Sequence, residues 1–168
     1  MDLIDRPRGL IKDFIYVKDK SLSKSFCDNV IKKFDKDPRQ RDGIVGKDTN
    51  QRVDKSLKDT KDIHISRTTG WETEDKVFFE SLKLGLEEYN DYLANLNDCC
   101  KSYPNPTFGI TDTGYKVQKY EPGGCYHWHH DWSMSSEPVA SRIFTFMWYL
   151  NTIDEKDEGY TEFADGTR

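Results

Sequence analysis

The run RIFTFMWYLN at residues 142–151 is apolar on both of its alternating faces and rich in β-forming residues. Such a strand is stable only with neighbours along its edges and cover on both faces, so the chain that holds it must build a sheet or sandwich around it. The hydrophobic period changes to suit. From Tyr115 onward apolar residues recur at every second position, whereas earlier they recur mainly at helical spacing. Half of the aromatic residues lie between Tyr115 and Phe163, under a third of the chain, which places the core and any pocket there.

The period-two part contains four strand-like runs, at 115–120, 126–132, 142–150 and 159–163, with Glu121-Pro122-Gly123-Gly124 as a turn after the first. Before them come two helical patterns. Residues 21–34 carry Phe26, Cys27, Val30, Ile31 and Phe34 on one face, with Ser23 or Ser25 as cap. Residues 73–96 repeat Phe78, Leu82, Leu86, Tyr89, Leu93 and Leu96 at spacings of three and four, a core stripe. Residues 14–17 read as a short strand and 62–71 as an edge strand, while the charged run from Asp35 to Asp62 reads as a solvated loop. The order implies an α+β fold with a mainly β core, a sheet or sandwich buttressed by two amphipathic helices. At 168 residues the chain suits a single domain.

Charge narrows the function classes. The net charge is −5 with both signs mixed, and no basic stripe offers itself to phosphates, so nucleic acid is not an expected partner. No apolar run approaches membrane-spanning length, and the start MDLIDRPRGLIKDF has no signal-peptide core. Cys27, Cys99, Cys100 and Cys125 show neither a disulfide framework nor a CxxC zinc pair. A reduced, cytoplasmic protein is expected, with Cys125 as a small packing residue.

Three of the four histidines fall within YHWHHDW, residues 126–132. On a strand, His127, His129 and Asp131 share one face and His130 takes the other. An imidazole and a carboxylate side by side can grip one metal. That mixture suits Fe(II) held by two histidines and a carboxylate with open positions left over. Zinc accepts the same donors, so donor type alone does not choose the metal. The spacing His127-Trp128-His129 competes on the same strand, since cupin-like metal sites use H-x-H. It ranks below H-x-D, which alone also accounts for the surrounding sequence. The lone His64 reads as an ordinary surface or core residue.

Taken together, Tyr120, Pro122-Gly123-Gly124, Tyr126, His129-His130-Asp131, Arg142, Tyr149-Leu150-Asn151 and Gly159-Tyr160-Thr161-Glu162-Phe163 resemble the 2-oxoglutarate and Fe(II)-dependent dioxygenases of the prolyl 4-hydroxylase type, in the form common in bacteria and phages. The likeness is strong over residues 114–163, with Tyr160 in place of a glycine, and loose over the N-terminal helices. It implies a double-stranded β-helix, or jelly roll, with 1–113 as helical buttress and loops and 114–168 as its first half. It implies His129 and Asp131 as metal ligands, and Tyr149 as a contact to the distal carboxylate of 2-oxoglutarate. Tyr120 and Tyr126 would line the site, while Arg142 reads as a strand-end residue. The implied chemistry is hydroxylation of a protein or small-molecule substrate, coupled to oxidative decarboxylation of 2-oxoglutarate to succinate. Fe(II), 2-oxoglutarate and O2 are its requirements, with ascorbate as a further candidate ligand.

Two expected parts are missing. No histidine follows His130, and no downstream arginine or lysine stands in the context that clamps the cosubstrate. A jelly roll needs about eight strands. Four more would take on the order of forty-five residues. The expectation is therefore a single incomplete domain, inactive alone, with exposed strand edges. The alternatives are a catalytically inactive β-domain acting as a binding module, and a cupin-like metal protein using His127 and His129.

Overall fold

The computed structural model describes residues 14–46, 48–96, 109–132 and 141–168. They fall into two compact units: Leu22–Leu82 with Thr111–Leu150, and Met1–Ser21 with Lys83–Ile110 and Asn151–Arg168. Cys99 and Cys100 lie outside the described residues.

In the first unit, helix α1 (Lys24–Lys36) starts at Ser23, whose hydroxyl accepts the Phe26 N–H at 3.2 Å. Lys33 and Lys36 in its last turn favour the negative end of the helix dipole. It buries Cys27, Val30 and Phe34, the three- and four-residue stripe read from the sequence. Helix α2 (Glu72–Leu96) opens with Glu72, Glu74 and Asp75, the complementary charge for a helix N-terminus. Within this unit α2 buries Phe78 and Leu82, and Phe78 packs edge-on against Phe26 at 5.4 Å between centroids. Trp71, just before α2, is fully buried and its indole N–H donates to the Asp37 carboxylate at 2.8 Å.

Between the helices lie β1 (Arg41–Asp42), β2 (Ile44–Val45), β3 (Arg52–Val53) and β4 (Lys61–Ile63), and after them β5 (Val117–Lys119). All pairings are antiparallel. β4 is the centre of a β1-β4-β5 sheet, with Asp62 opposite Arg41 on one side and Gln118 on the other. β2 and β3 form a separate two-stranded sheet. Two expectations change here. The edge strand read within 62–71 is part of the central strand β4, and the solvated loop of 35–62 holds three short strands and the start of β4. That run also buries Asp37, Lys58, Thr60 and Asp62. Its polar residues hid its burial because they satisfy one another rather than water.

Three of the four expected β-helix strands are not formed. Residues 126–132 make one bridge, Tyr126 to Lys58, and neither 142–150 nor 159–163 is a strand. The 14–17 run is not a strand either. A strand exists through its ladder, and among the described residues these runs find no continuous partner. The fold is thus mixed α and β with small antiparallel sheets, and the described residues form no jelly roll or barrel. The 142–150 run is nevertheless anchored. Trp148 packs on Phe78 and Tyr115, at 5.0 and 5.7 Å between centroids, and its indole N–H donates to Ser81 at 3.1 Å.

In the second unit, Tyr16 contacts the rings of Tyr89 and Tyr92, and its hydroxyl donates to Glu88 at 2.8 Å. Lys18 pairs with the same carboxylate. No helix of the described residues is long and apolar enough to cross a membrane.

Candidate metal centre

The turn before the histidines is shaped by its glycines. Gly123 has φ +83°, the left-handed region that glycine enters freely. A side chain on Gly124 would place Cβ 2.8 Å from the Asp59 carbonyl oxygen. The absence of one lets the chain run beside residues 57–59. There the Asp59 N–H donates to the Cys125 carbonyl and the His127 N–H to the Leu57 carbonyl, both at 2.8 Å. The backbone then bends, and His129 folds back so that its ring stacks on Tyr126, 3.6 Å between centroids and 16° between planes.

That fold-back orients the imidazole. Nδ1 of His129 lies 2.8 Å from the His127 carbonyl oxygen. A carbonyl only accepts, so this contact places a proton on Nδ1, and in the neutral ring the lone pair is then on Nε2. Nε2 stands 3.5 Å from Oδ1 of Asp131, with the two side chains 38 % and 43 % exposed. The other carboxylate oxygen, Oδ2, accepts from the Thr145 hydroxyl at 2.9 Å, and the Asp131 carbonyl accepts from the Arg142 guanidinium at 3.2 Å. His129 and Asp131 therefore converge, as H-x-D spacing led one to expect, although by a bend rather than by a shared strand face. His127 enters this arrangement through its backbone.

Of the three tyrosines expected at the site, the structure places Tyr126 against this pair. Tyr126 is the stacking partner. Burial, then the Asp131 and Asp62 carboxylates, raise its phenol above the ordinary range. Tyr120 is 46 % exposed as a residue. Its phenol is nonetheless pushed up to about 12, first by burial and then by the charge of Asp62, Tyr126, Tyr149 and Cys125. Tyr149 is exposed.

Beneath the pair lies a group that the sequence reading passed over. The Lys58 side chain is 3 % exposed, and its ammonium sits 4.9 Å from the Tyr126 ring centre and 3.0 Å from Asp62. Asp62 also accepts from Thr60 at 2.8 Å and from Gln118 at 3.2 Å. Burial lowers the Lys58 pKa, and Asp62 opposes that fall. A signal was present: Lys58, Thr60 and Asp62 recur at period two inside the charged run, the spacing of one strand face. Thr145 left no such trace, and Arg142 was read only as a strand-end residue, because both reach Asp131 through the path of the chain.

The donors suit a divalent metal in part. One neutral imidazole nitrogen and one carboxylate oxygen, held close and partly open to solvent, match two positions of a two-histidine, one-carboxylate site. Among the described residues no group of three or more His, Cys, Asp or Glu is placed to hold a metal.

Residues 115–168 match the family model of the 2OG-Fe(II) oxygenase superfamily. No curated protein and no solved structure matches the chain. The matched segment includes His129, Asp131, Tyr120, Tyr126 and Tyr149, and it supports a general oxygenase function. In that superfamily Fe(II), 2-oxoglutarate and O2 are implied.

Proposed function

We propose that this chain supplies the metal-gripping part of an Fe(II)- and 2-oxoglutarate-dependent dioxygenase of the prolyl 4-hydroxylase type. The observation that carries the reading is the 3.5 Å approach of His129 Nε2 to Asp131 Oδ1, with Nδ1 tied to the His127 carbonyl, inside the matched segment. In this reading Nε2 of His129 and Oδ1 of Asp131 hold the metal. Tyr126 fixes the imidazole plane by stacking, and Tyr120 and Tyr149 meet the cosubstrate. The high pKa of Tyr120 keeps it a neutral hydrogen-bond donor at physiological pH. Bound Fe(II) with 2-oxoglutarate and O2 supplies the oxidative decarboxylation to succinate and the substrate hydroxylation. Ascorbate would be an accessory ligand, and a reduced cytosolic setting would suit the thiols.

In the same reading, residues 114–168 are the first half of a double-stranded β-helix buttressed by 1–113. The third metal ligand and the basic cosubstrate clamp are contributed from outside the described residues. The 168-residue chain by itself then binds metal weakly and turns over negligibly, and iron-dependent succinate formation by it would overturn this part. The ligand assignment is tested by Mn2+ titration of the purified chain, read as paramagnetic broadening of the His129 and Tyr126 resonances. Asp131→Ala is expected to abolish the broadening and His127→Ala to spare it. The reverse pattern would favour the cupin-like pair of His127 and His129, and an unbroadened native chain would favour the inactive binding module.

A further inference from the structure

We infer that Thr145 is a positioning residue for the metal-binding carboxylate of Asp131, an inference that rests on the reading above. A half-exposed aspartate turns readily about its carboxyl bond, yet a metal needs one oxygen presented in a fixed direction. The Thr145 hydroxyl donates to Oδ2 at 2.9 Å, and this leaves Oδ1 as the oxygen that faces His129 Nε2 at 3.5 Å. Thr145 is itself held. Three residues before it, Arg142 bonds the Asp131 carbonyl at 3.2 Å, so the same run fixes both the backbone and the side chain of Asp131. Three residues after it, Trp148 is anchored on Phe78, Tyr115 and Ser81. Pinned on both sides, and stiff at χ1 because it is β-branched, Thr145 can hold its hydroxyl in one direction.

The arrangement parallels that of His129. There a backbone carbonyl holds Nδ1 and frees Nε2; here a hydroxyl holds Oδ2 and frees Oδ1. Each ligand thus has one atom tied to the protein and one presented outward, the outer-shell pattern that orients metal ligands.

The test is Mn2+ affinity of the full chain, by the same paramagnetic titration, in Thr145→Val, Thr145→Ala and Thr145→Ser. Valine keeps the shape and removes the hydroxyl, and serine keeps the hydroxyl. Loss of an outer-shell partner typically weakens metal binding about tenfold or more. Valine and alanine are expected to bind about tenfold more weakly than the native chain, with serine near native and melting temperatures alike. Native affinity in whichever of the valine and alanine variants folds would overturn the inference. So would a serine variant as weak as valine, since the hydroxyl would then not be the active feature. Absence of binding by the native chain itself would overturn the ligand assignment, and the positioning role with it.

Discussion

At the scale of single residues, the proximity of His129 and Asp131 was legible in the sequence, because H-x-D places an imidazole and a carboxylate close together on almost any extended or bent backbone. What supports the pair was not legible. Lys58 and Asp62 sit in a run whose charge reads as solvated, yet both are buried and bonded to each other at 3.0 Å. The two partners are not equivalent. If Lys58 is replaced by methionine, Asp62 keeps donors from Thr60 and Gln118 and has Lys116 at 3.6 Å. If Asp62 becomes asparagine, an ammonium 3 % exposed to solvent loses its carboxylate. Breaking a buried pair by removing one partner costs on the order of 3 kcal/mol or more when a charge is left stranded. Asp62→Asn is therefore expected to destabilise by about that amount and Lys58→Met by clearly less. Urea unfolding of both variants checks this, and equal losses would show that Lys58 is held by something other than Asp62.

At the scale of elements, both helices were readable, since their apolar residues repeat at the helical period and tertiary contact follows that stripe. The short strands were not. β1 to β3 are two residues long, too short to express alternation, and β4 is three, with consecutive Asp62 and Ile63 both buried, so it shows no alternation either. The junction of α1 and α2 also escaped the pattern, because a single carboxylate makes it. Asp37, which ends α1, accepts from the Arg39 side chain at 2.6 and 2.8 Å and from the Trp71 indole at 2.8 Å. The Arg39 hydrogen bonds lead, and together these contacts hold its carboxyl well below the usual range despite burial. A carboxyl depressed in the folded state contributes stability that is fully present above its unfolded pKa near 3.8. That contribution drains away as pH falls from there toward the folded value. Urea midpoints measured from pH 6 down to about pH 2 should fall steeply below about pH 4 in the native chain. Asp37→Asn should start lower at pH 6 and show a shallower fall. Asp42, Asp54, Glu72 and Glu88 are depressed as well, so the slope is expected to diminish rather than vanish. An unchanged slope would assign the acid sensitivity to those groups alone.

At the scale of the whole molecule, the sequence pattern announced more sheet than the described residues form, and the reason bears on how the protein behaves in solution. Period two states which side chains would share a face; it does not supply the neighbouring strand whose N–H and C=O groups complete a ladder. Along 142–150 the alternation survives only in part without the ladder. Phe144 and Trp148 are half-buried, but Phe146 between them is 38 % exposed, and Ile143 at 67 % and Met147 at 52 % are more exposed still. Trp128 and Trp132 are exposed in the neighbouring sequence. Apolar side chains displayed along an extended segment are the features that natural sheets cover, charge or break to prevent edge pairing. The 19.7 kDa chain is therefore expected to self-associate, its sedimentation coefficient rising with concentration through the micromolar range. The double substitution Ile143→Lys with Met147→Lys should suppress that rise, because two ammonium groups on one face oppose its burial without touching Phe144, Thr145 or Trp148. The Mn2+ binding proposed for His129 and Asp131 should survive in the double variant, which separates the sticky face from the proposed ligands. A native chain that sediments as a single monomeric species at every concentration would mean that this face is already covered, and the missing ladder would then have to be sought within the chain itself.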